Sequence, residues 1–129
     1  MKFLLDTHVF LWWINADKRI SDKIISIISD VNNDIFLSSA SCWEVVIKSK
    51  IGKLSISEAS VPDFINRQII DNQIIPLAID SGHALNVYNL PDYHRDPFDK
   101  IIISQAIIEE LPIITADNLF SKYPVKIIW

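Results

Sequence analysis

The sequence predicts an α/β chain folded as a three-layer α/β/α sandwich around a mostly parallel central sheet. Three observations lead there. Short apolar runs ("KFLL", "DIFL", "QIIPLAI", "LPIIT") recur along the 129 residues, and such runs read as strands covered on both faces. Between them lie longer stretches with helical apolar spacing. Half of the residues are hydrophobic and only two are glycine, with no repeat, low-complexity tract or linker, so residues 1–129 form one compact domain with a sizeable core.

"KFLLD" (2–6) is a first buried strand, and "THVFLWWINA" (7–16) a helix capped by Thr7. "SDKIISIISDVNN" (21–33) is a helix with Ser21 as N-cap and Ile24, Ile25, Ile28 and Val31 on one stripe. "DIFLSS" (34–39) is a second strand. "SCWEVVIKSKIGK" (41–53) is a helix ending near Gly52. "VPDFINRQIIDNQ" (61–73) is another, with Pro62 near its start; "IIPLAI" (74–79) is a short strand and "DSGHALNVYNL" (80–90) a helix. The helix in "YHRDPFDKIIISQAIIEEL" (93–111) begins at Asp96 and Pro97. A strand at "PIIT" (112–115), a turn or short helix at "ADNLFSKY" and a last strand at "VKIIW" (125–129) complete the chain.

Composition narrows the function. No apolar run approaches the roughly 18 residues of a membrane span. "MKFLLD" lacks the form of a signal peptide, so a cytoplasmic location is expected. The single cysteine, Cys42, excludes an intrachain disulfide and a thiolate zinc cage. Net charge is −4 and the isoelectric point about 5.2. A protein that holds nucleic acid by its overall field is basic, so any nucleic-acid role must work through a local patch or bound cations.

In an open parallel sheet, ligands sit beyond the carboxyl ends of the strands, where the winding reverses. Asp6 ends the first strand and Asp117 follows "PIIT". The helices carrying Glu44 and Asp96–Asp99 leave connections at the same edge, so four acids remote in sequence, Asp6, Glu44, Asp99 and Asp117, can meet in one cleft. Each also has a local explanation. Asp6 and Asp117 could cap the segments that follow them. Glu44 stands three residues after Ser41, the spacing of a capping box, and four before Lys48. Asp96 could be an N-cap with Asp99 its capping-box acid. Clustered carboxylates repel, and a hard divalent cation, Mg²⁺ or Mn²⁺, relieves that cost. Such ions activate water and steady the leaving oxygen of a phosphodiester. No histidine-rich set suggests zinc, and no Gly-rich loop suggests a nucleotide site.

"LLDTH", "SCWEVVIK", "HRDPFDKIIISQA" and "IITAD", in this order and spacing, resemble the PIN-domain ribonucleases, in particular VapC-like toxins of toxin–antitoxin pairs. The resemblance runs from Lys2 to Trp129. It implies a catalytic and metal-binding set of Asp6, Glu44, Asp99 and Asp117, with Thr7 and Thr115 beside them and Asp96 as helper or cap. It further implies a Mg²⁺- or Mn²⁺-dependent endoribonuclease that cuts RNA, a homodimer, and a cognate antitoxin that covers the active-site side and carries the DNA-binding function.

Phe10, Trp12, Trp13 and Trp43 are an unusual aromatic concentration. Core packing explains part of it, but adjacent Trp12 and Trp13 cannot both face inward on one helix, which leaves a groove for an antitoxin peptide as the second reading. Lys100, directly after Asp99, is the first basic residue expected at substrate, with His94, Arg95 and Lys48 behind it; Lys48, Lys50, Lys53 and Arg67 otherwise read as a solvated face. His8 and His83 read as structural. Two other functions fit an α/β chain with acids at strand ends: a receiver-like phosphoacceptor domain, which needs an acidic pair and a late lysine that this sequence does not offer, and a catalytically inactive interaction domain whose acids only cap helices.

Overall fold

In the structure, a computed structural model describing residues 1–129, five parallel strands form a single sheet. The strands are β1 (Lys2–Leu5), β2 (Asp34–Ser38), β3 (Ile75–Leu77), β4 (Ile113–Ile114) and β5 (Ile127–Ile128). The helices are α1 (Thr7–Ile14), α2 (Asp22–Ser29), α3 (Ser39–Lys50), α4 (Val61–Asp71), α5 (Ser81–Asn86) and α6 (Pro97–Glu109). Strand order is β3-β2-β1-β4-β5. The chain winds outward from β1 through β2 to β3, then returns to add β4 and β5 on the other side. The winding therefore reverses between β1 and β4, as the α/β expectation requires.

Alternation along each strand builds two cores. Phe3 and Leu5 of β1, Ile35 and Leu37 of β2 and Ile114 of β4 point to one face, where they meet Val9 and Phe10 of α1, Ile24 and Ile28 of α2, Val45 of α3 and Ile65 and Ile69 of α4. Leu4 and Ile113 point the other way, onto Ile102, Ile103 and Ala106 of α6 with Leu111, Phe120 and Tyr123. Burial on both faces makes the strands read as unbroken apolar runs. The short α5 packs on α6, where the Ser104 hydroxyl donates to the His83 carbonyl at 2.6 Å.

Several boundaries differ from expectation, each for a local reason. α3 begins two residues early because Ser38, the last residue of β2, is its N-cap and accepts from the Ala40 amide at 3.0 Å. Ser41 is thus inside the helix, and the Ser41–Glu44 capping box does not form. Thr7 is likewise the first helical residue of α1 rather than its cap. Ser21 does cap α2, but that helix ends at Ser29 and leaves Val31 exposed in the turn beyond. Residues 80–90 divide into α5 and a 3-10 turn at Val87–Asn89. Gly52, at φ +80°, closes α3 in the left-handed conformation that glycine adopts freely.

Ile102 has no solvent-exposed surface, so Ile102→Ala leaves a cavity under the sheet. It is expected to lower stability by about 3 kcal/mol, read in urea unfolding as a shifted midpoint at constant slope.

Candidate functional site

Register sets the first half of the site. Leu5 pairs with Ile114 across β1 and β4, so the residues just past them, Asp6 and Thr115, are neighbours. The Asp6 amide donates to the Ile114 carbonyl at 3.0 Å, and the buried Thr115 hydroxyl donates to Asp6 Oδ2 at 2.9 Å. The same hydroxyl accepts from the Asp117 amide at 3.0 Å, which fixes the turn carrying the second aspartate. Asp6 holds the N-cap position of α1, yet its side chain makes no capping bond. Its carboxylate is directed into the sheet edge instead.

Helix starts supply the rest. Glu44, one turn into α3, is 2% exposed and accepts a bond from Lys48 Nζ through Oε2. α3 is tied to α1 by the Thr7 hydroxyl, which donates to Ser41 Oγ at 2.8 Å between two buried side chains. Asp96 caps α6 by accepting from the Phe98 amide at 2.8 Å, and so leaves Asp99 free of capping duty. Asp117 caps the 3-10 turn that follows it, accepting from the Leu119 amide at 2.9 Å. Its other oxygen lies 2.9 Å from His94 Nε2.

The His94 ring is locked. The Tyr123 hydroxyl accepts from the His94 backbone amide at 3.0 Å and lies 3.0 Å from Nδ1. A carboxylate only accepts, so Nε2–H donates to Asp117, and in that tautomer Nδ1 accepts from the Tyr123 hydroxyl. His94 is 6% exposed and packs edge-on to Phe120. Expected at the substrate side, it is placed instead behind Asp117 as an orienting group. Its partner Tyr123 carried no sequence signal, since nothing in "ADNLFSKY" marks it as facing a histidine 29 residues earlier.

Electrostatics show the acids converging. Asp99 is pushed up to about 7 by burial and by the negative fields of Asp96, Asp6, Glu44 and Asp117, in that order. All of these causes act in the same direction, against the ionised form. Burial also raises Asp6, and its bond from Thr115 only partly counters this. Lys48 is held above its ordinary range by its bond to Glu44, with smaller contributions from Asp96 and Asp99. Asp6 Oδ1 and Glu44 Oε1 are buried without any hydrogen-bond partner, and ligand atoms of His94, Asp99 and Asp117 all lie within 4.8 Å of one another. Orphaned carboxylate oxygens among like charges fit a hard divalent cation, which Asp6, Glu44, Asp99 and Asp117 could hold.

Of the basic residues expected nearby, Lys100 pairs with Asp92 at 3.0 Å, while Arg95 is exposed and enters none of the chain's ion pairs. The aromatic residues separate. Phe10 is fully buried in the core. Trp12, against Trp129 at 5.7 Å, and Trp13, donating to Asn72 Oδ1 at 2.9 Å, line the largest cleft, about 580 Å³ between α1, α2 and α4. None of the clustered acids lines that cleft. Trp43 lies apart from it, on α3, with its ring 5.2 Å from Phe98.

The family model of the PIN domain matches residues 3–126. Ribonuclease VapC16 of Mycobacterium tuberculosis is 41% identical over 62 residues, 46% of this chain. That match spans about two-fifths of the relative's length. Among solved structures, VapBC2 from Rickettsia felis, bound to a promoter DNA fragment, is similar at a TM-score of 0.75 and 17% identity, covering 99% of this chain and 98% of that one. DNA-bound VapBC from Salmonella typhimurium gives 0.69 at 17% identity over 99% and 97%. FitAcB from Neisseria gonorrhoeae gives 0.60 at 16% over 100% and 97%. At these identities the likeness is one of fold.

Asp99 carries a stability signature. Its folded carboxyl keeps a proton up to about pH 7, whereas in the unfolded chain it loses it near pH 4. The folded state thus binds the extra proton within that window, and the metal-free chain loses stability as pH rises through it. Asp99→Asn removes the effect. Its melting temperature is expected to exceed the wild type's by about 3–6 °C at pH 8, with the difference closing by pH 4, in thermal melts run with chelator.

Proposed function

The chain belongs to the PIN domain family, and on that footing we propose that it is a divalent-metal-dependent endoribonuclease, the toxin of a toxin–antitoxin pair. One observation carries the reading: Asp99 is half-buried among four other carboxylates whose fields push it up to about 7, while Asp6 and Glu44 each present a buried, unpartnered oxygen. An inactive interaction domain would have no reason to maintain so costly an arrangement.

Asp6, Glu44, Asp99 and Asp117 are the residues that would hold Mg²⁺ or Mn²⁺. When bound, the ion supplies an activated water and charge stabilisation on the phosphodiester. The chain's own residues supply the positioning. Thr115 holds Asp6 through Oδ2 and leaves Oδ1 free. Lys48 holds Glu44 through Oε2 and leaves Oε1 free. His94 and the Leu119 amide fix the two oxygens of Asp117. Asp96 binds the first turn of α6, and that helix start favours ionised Asp99. Arg95 is the free cation for an RNA phosphate, with Lys100 available on exchange from Asp92.

The comparison with VapBC complexes supports a protein antitoxin as partner. The cleft lined by Trp12 and Trp13 has the apolar character that a partner helix or extended peptide requires. No helix of the chain is long and apolar enough to cross a membrane, in keeping with a cytoplasmic protein. A single domain acting as a homodimer completes the proposal.

The direct test is cleavage of RNA with chelator, Mg²⁺ or Mn²⁺, comparing the wild type with Asp6→Ala and Asp99→Ala. Cleavage only with metal, and at least about 100-fold slower in each variant, is expected. Equal activity in all three would refute the assignment. His94→Ala is expected to weaken Mn²⁺ binding about 10-fold or more in calorimetry, while leaving the far-ultraviolet circular dichroism of the chain unchanged.

A further inference from the structure

The last turn of α3 places two like charges together. The Lys53 amide donates to the Lys48 carbonyl at 2.9 Å, and the Gly52 amide to the Ser49 carbonyl at 3.3 Å, with Gly52 at φ +80°. These two bonds make a Schellman turn, which folds the residue after the glycine back over the last turn of the helix. Apolar side chains commonly meet at the two positions joined by the longer bond; here both are lysines. Attraction to the negative end of a helix explains lysines in this turn, but not the company they keep. Lys48 and Lys53 line one small cavity together with Glu44, Thr7 and His8. It measures about 170 Å³, against the roughly 30 Å³ of a water molecule, so a phosphate group fits.

Charge says what the cavity is for. Glu44 is the one acid in its lining, and its Oε2 takes one of the three N–H donors of Lys48. Lys53, like Arg95, enters none of the chain's ion pairs. Two ammonium-bearing side chains thus face one carboxylate, and the surplus calls for an anion rich in acceptor oxygens. Side-chain contact, not chain order, joins this cavity to the clustered acids. Glu44 lines it and also contributes to the negative field at Asp6 and Asp99, and Lys48 lies in the fields of Asp96 and Asp99 as well. An RNA strand with its scissile phosphate at those acids brings further phosphates into the same negative field. A cation-lined pocket that shares Glu44 with the cluster gives the next phosphate its counter-charge.

We propose that Lys53 and Lys48 form a second phosphate subsite, which binds the backbone phosphate adjacent to the scissile one and so fixes which bond of the RNA lies at the acids. The inference rests on the ribonuclease reading above and adds a binding site to it. Lys48 then has two duties, holding Glu44 with one donor and offering the others to the phosphate. Lys53 has only the second, which makes it the residue to vary.

The test uses the full chain in an Asp99→Asn background with Mg²⁺, so that anisotropy of a fluorescent single-stranded RNA reads binding without cleavage. Lys53→Ala is expected to raise Kd about 10-fold and to flatten the slope of log Kd against log salt by about 0.7, the share of one phosphate contact. Lys53→Arg should restore both. Lys50→Ala, which removes an equal charge that does not line the cavity, should change neither. With Asp99 intact, RNA carrying a neutral methylphosphonate at each phosphate in turn locates the contact. One substitution beside the cleaved bond should raise KM as much as Lys53→Ala does, and add almost nothing to that variant, since both remove the same interaction. Unchanged melting temperatures establish that the variants fold. Unaltered Kd and slope in Lys53→Ala, an equal loss in Lys50→Ala, or methylphosphonate losses that simply add at every position would overturn the proposal. So would inorganic phosphate binding that needs Lys53 while RNA binding does not, which would make the cavity a site for a free anion. Unchanged RNA binding with a lost response to a protein inhibitor would likewise reject it and assign the lysines to a partner's carboxylate. If the chain with Asp99 intact cleaves no RNA, it is the ribonuclease reading that fails, and the anisotropy readings decide the subsite by themselves.

Discussion

Thr115 reaches across the gap between β4 and β1 to hold one oxygen of Asp6, and the rest of the acidic cleft is assembled around that bond. A parallel sheet collects the carboxyl ends of its strands along one edge. In the order β3-β2-β1-β4-β5 the reversal of winding falls between the two strands that this bond joins, so no crossover helix covers the space beyond them. Asp6 could have closed that space by capping α1. It does not, and the threonine hydroxyl, which donates to Asp6 and accepts from the Asp117 amide, sets both aspartates from one point of the backbone.

Around this anchor, the chain accumulates charge that its folding alone would not choose. Burial and four neighbouring acids drive Asp99 toward neutrality, and two buried carboxylate oxygens, Asp6 Oδ1 and Glu44 Oε1, have no partner. The surrounding structure limits the damage without removing it. Lys48 neutralises one end of Glu44, the Tyr123–His94–Asp117 relay fixes the orientation of a third acid, and Asp96 turns its carboxylate to the Phe98 amide of α6. Capping is satisfied by Ser21, Ser38, Asp96 and Asp117, whereas the carboxylates that face inward break the rules of capping and pairing together, and such exceptions mark functional sites. The two cores on either side of the sheet supply the rigidity that keeps like charges together.

The aromatic side chains illustrate a separate division of labour. One run of helix delivers Phe10 to the core, Trp13 to Asn72 and Trp12 to Trp129, so a single sequence cluster serves packing and also lines a cleft away from the acids. Trp43, part of the same composition signal, is carried by α3 to an exposed position against Phe98 of α6. Residue type identified all four as notable; only the helix phase and the neighbouring element assigned each its surroundings.

Apolar runs and helical spacing in the sequence were sufficient for the α/β class, for β1, β2 and β3 in outline, and for the Ser21, Asp96 and Gly52 signals, because these depend on hydrogen bonds and burial within a few residues. The four acids were legible as candidates for the same reason, since each stands at a strand end or in a first helical turn. Strand order was not, because it depends on which apolar edges meet across the chain. Nor was the cap of α3, where Ser38 at the end of β2 replaces the expected Ser41, which the Thr7 hydroxyl binds inside the helix. His94 was expected beside Lys100 at the substrate; packing against Phe120 and Tyr123 made it an interior group. The sequence by itself thus determined the elements and the supply of acids, both set by local chemistry. Tertiary structure alone decided which carboxylates lost their local partners and faced one another, because desolvation and like-charge fields exist only once remote segments are brought within a few ångströms.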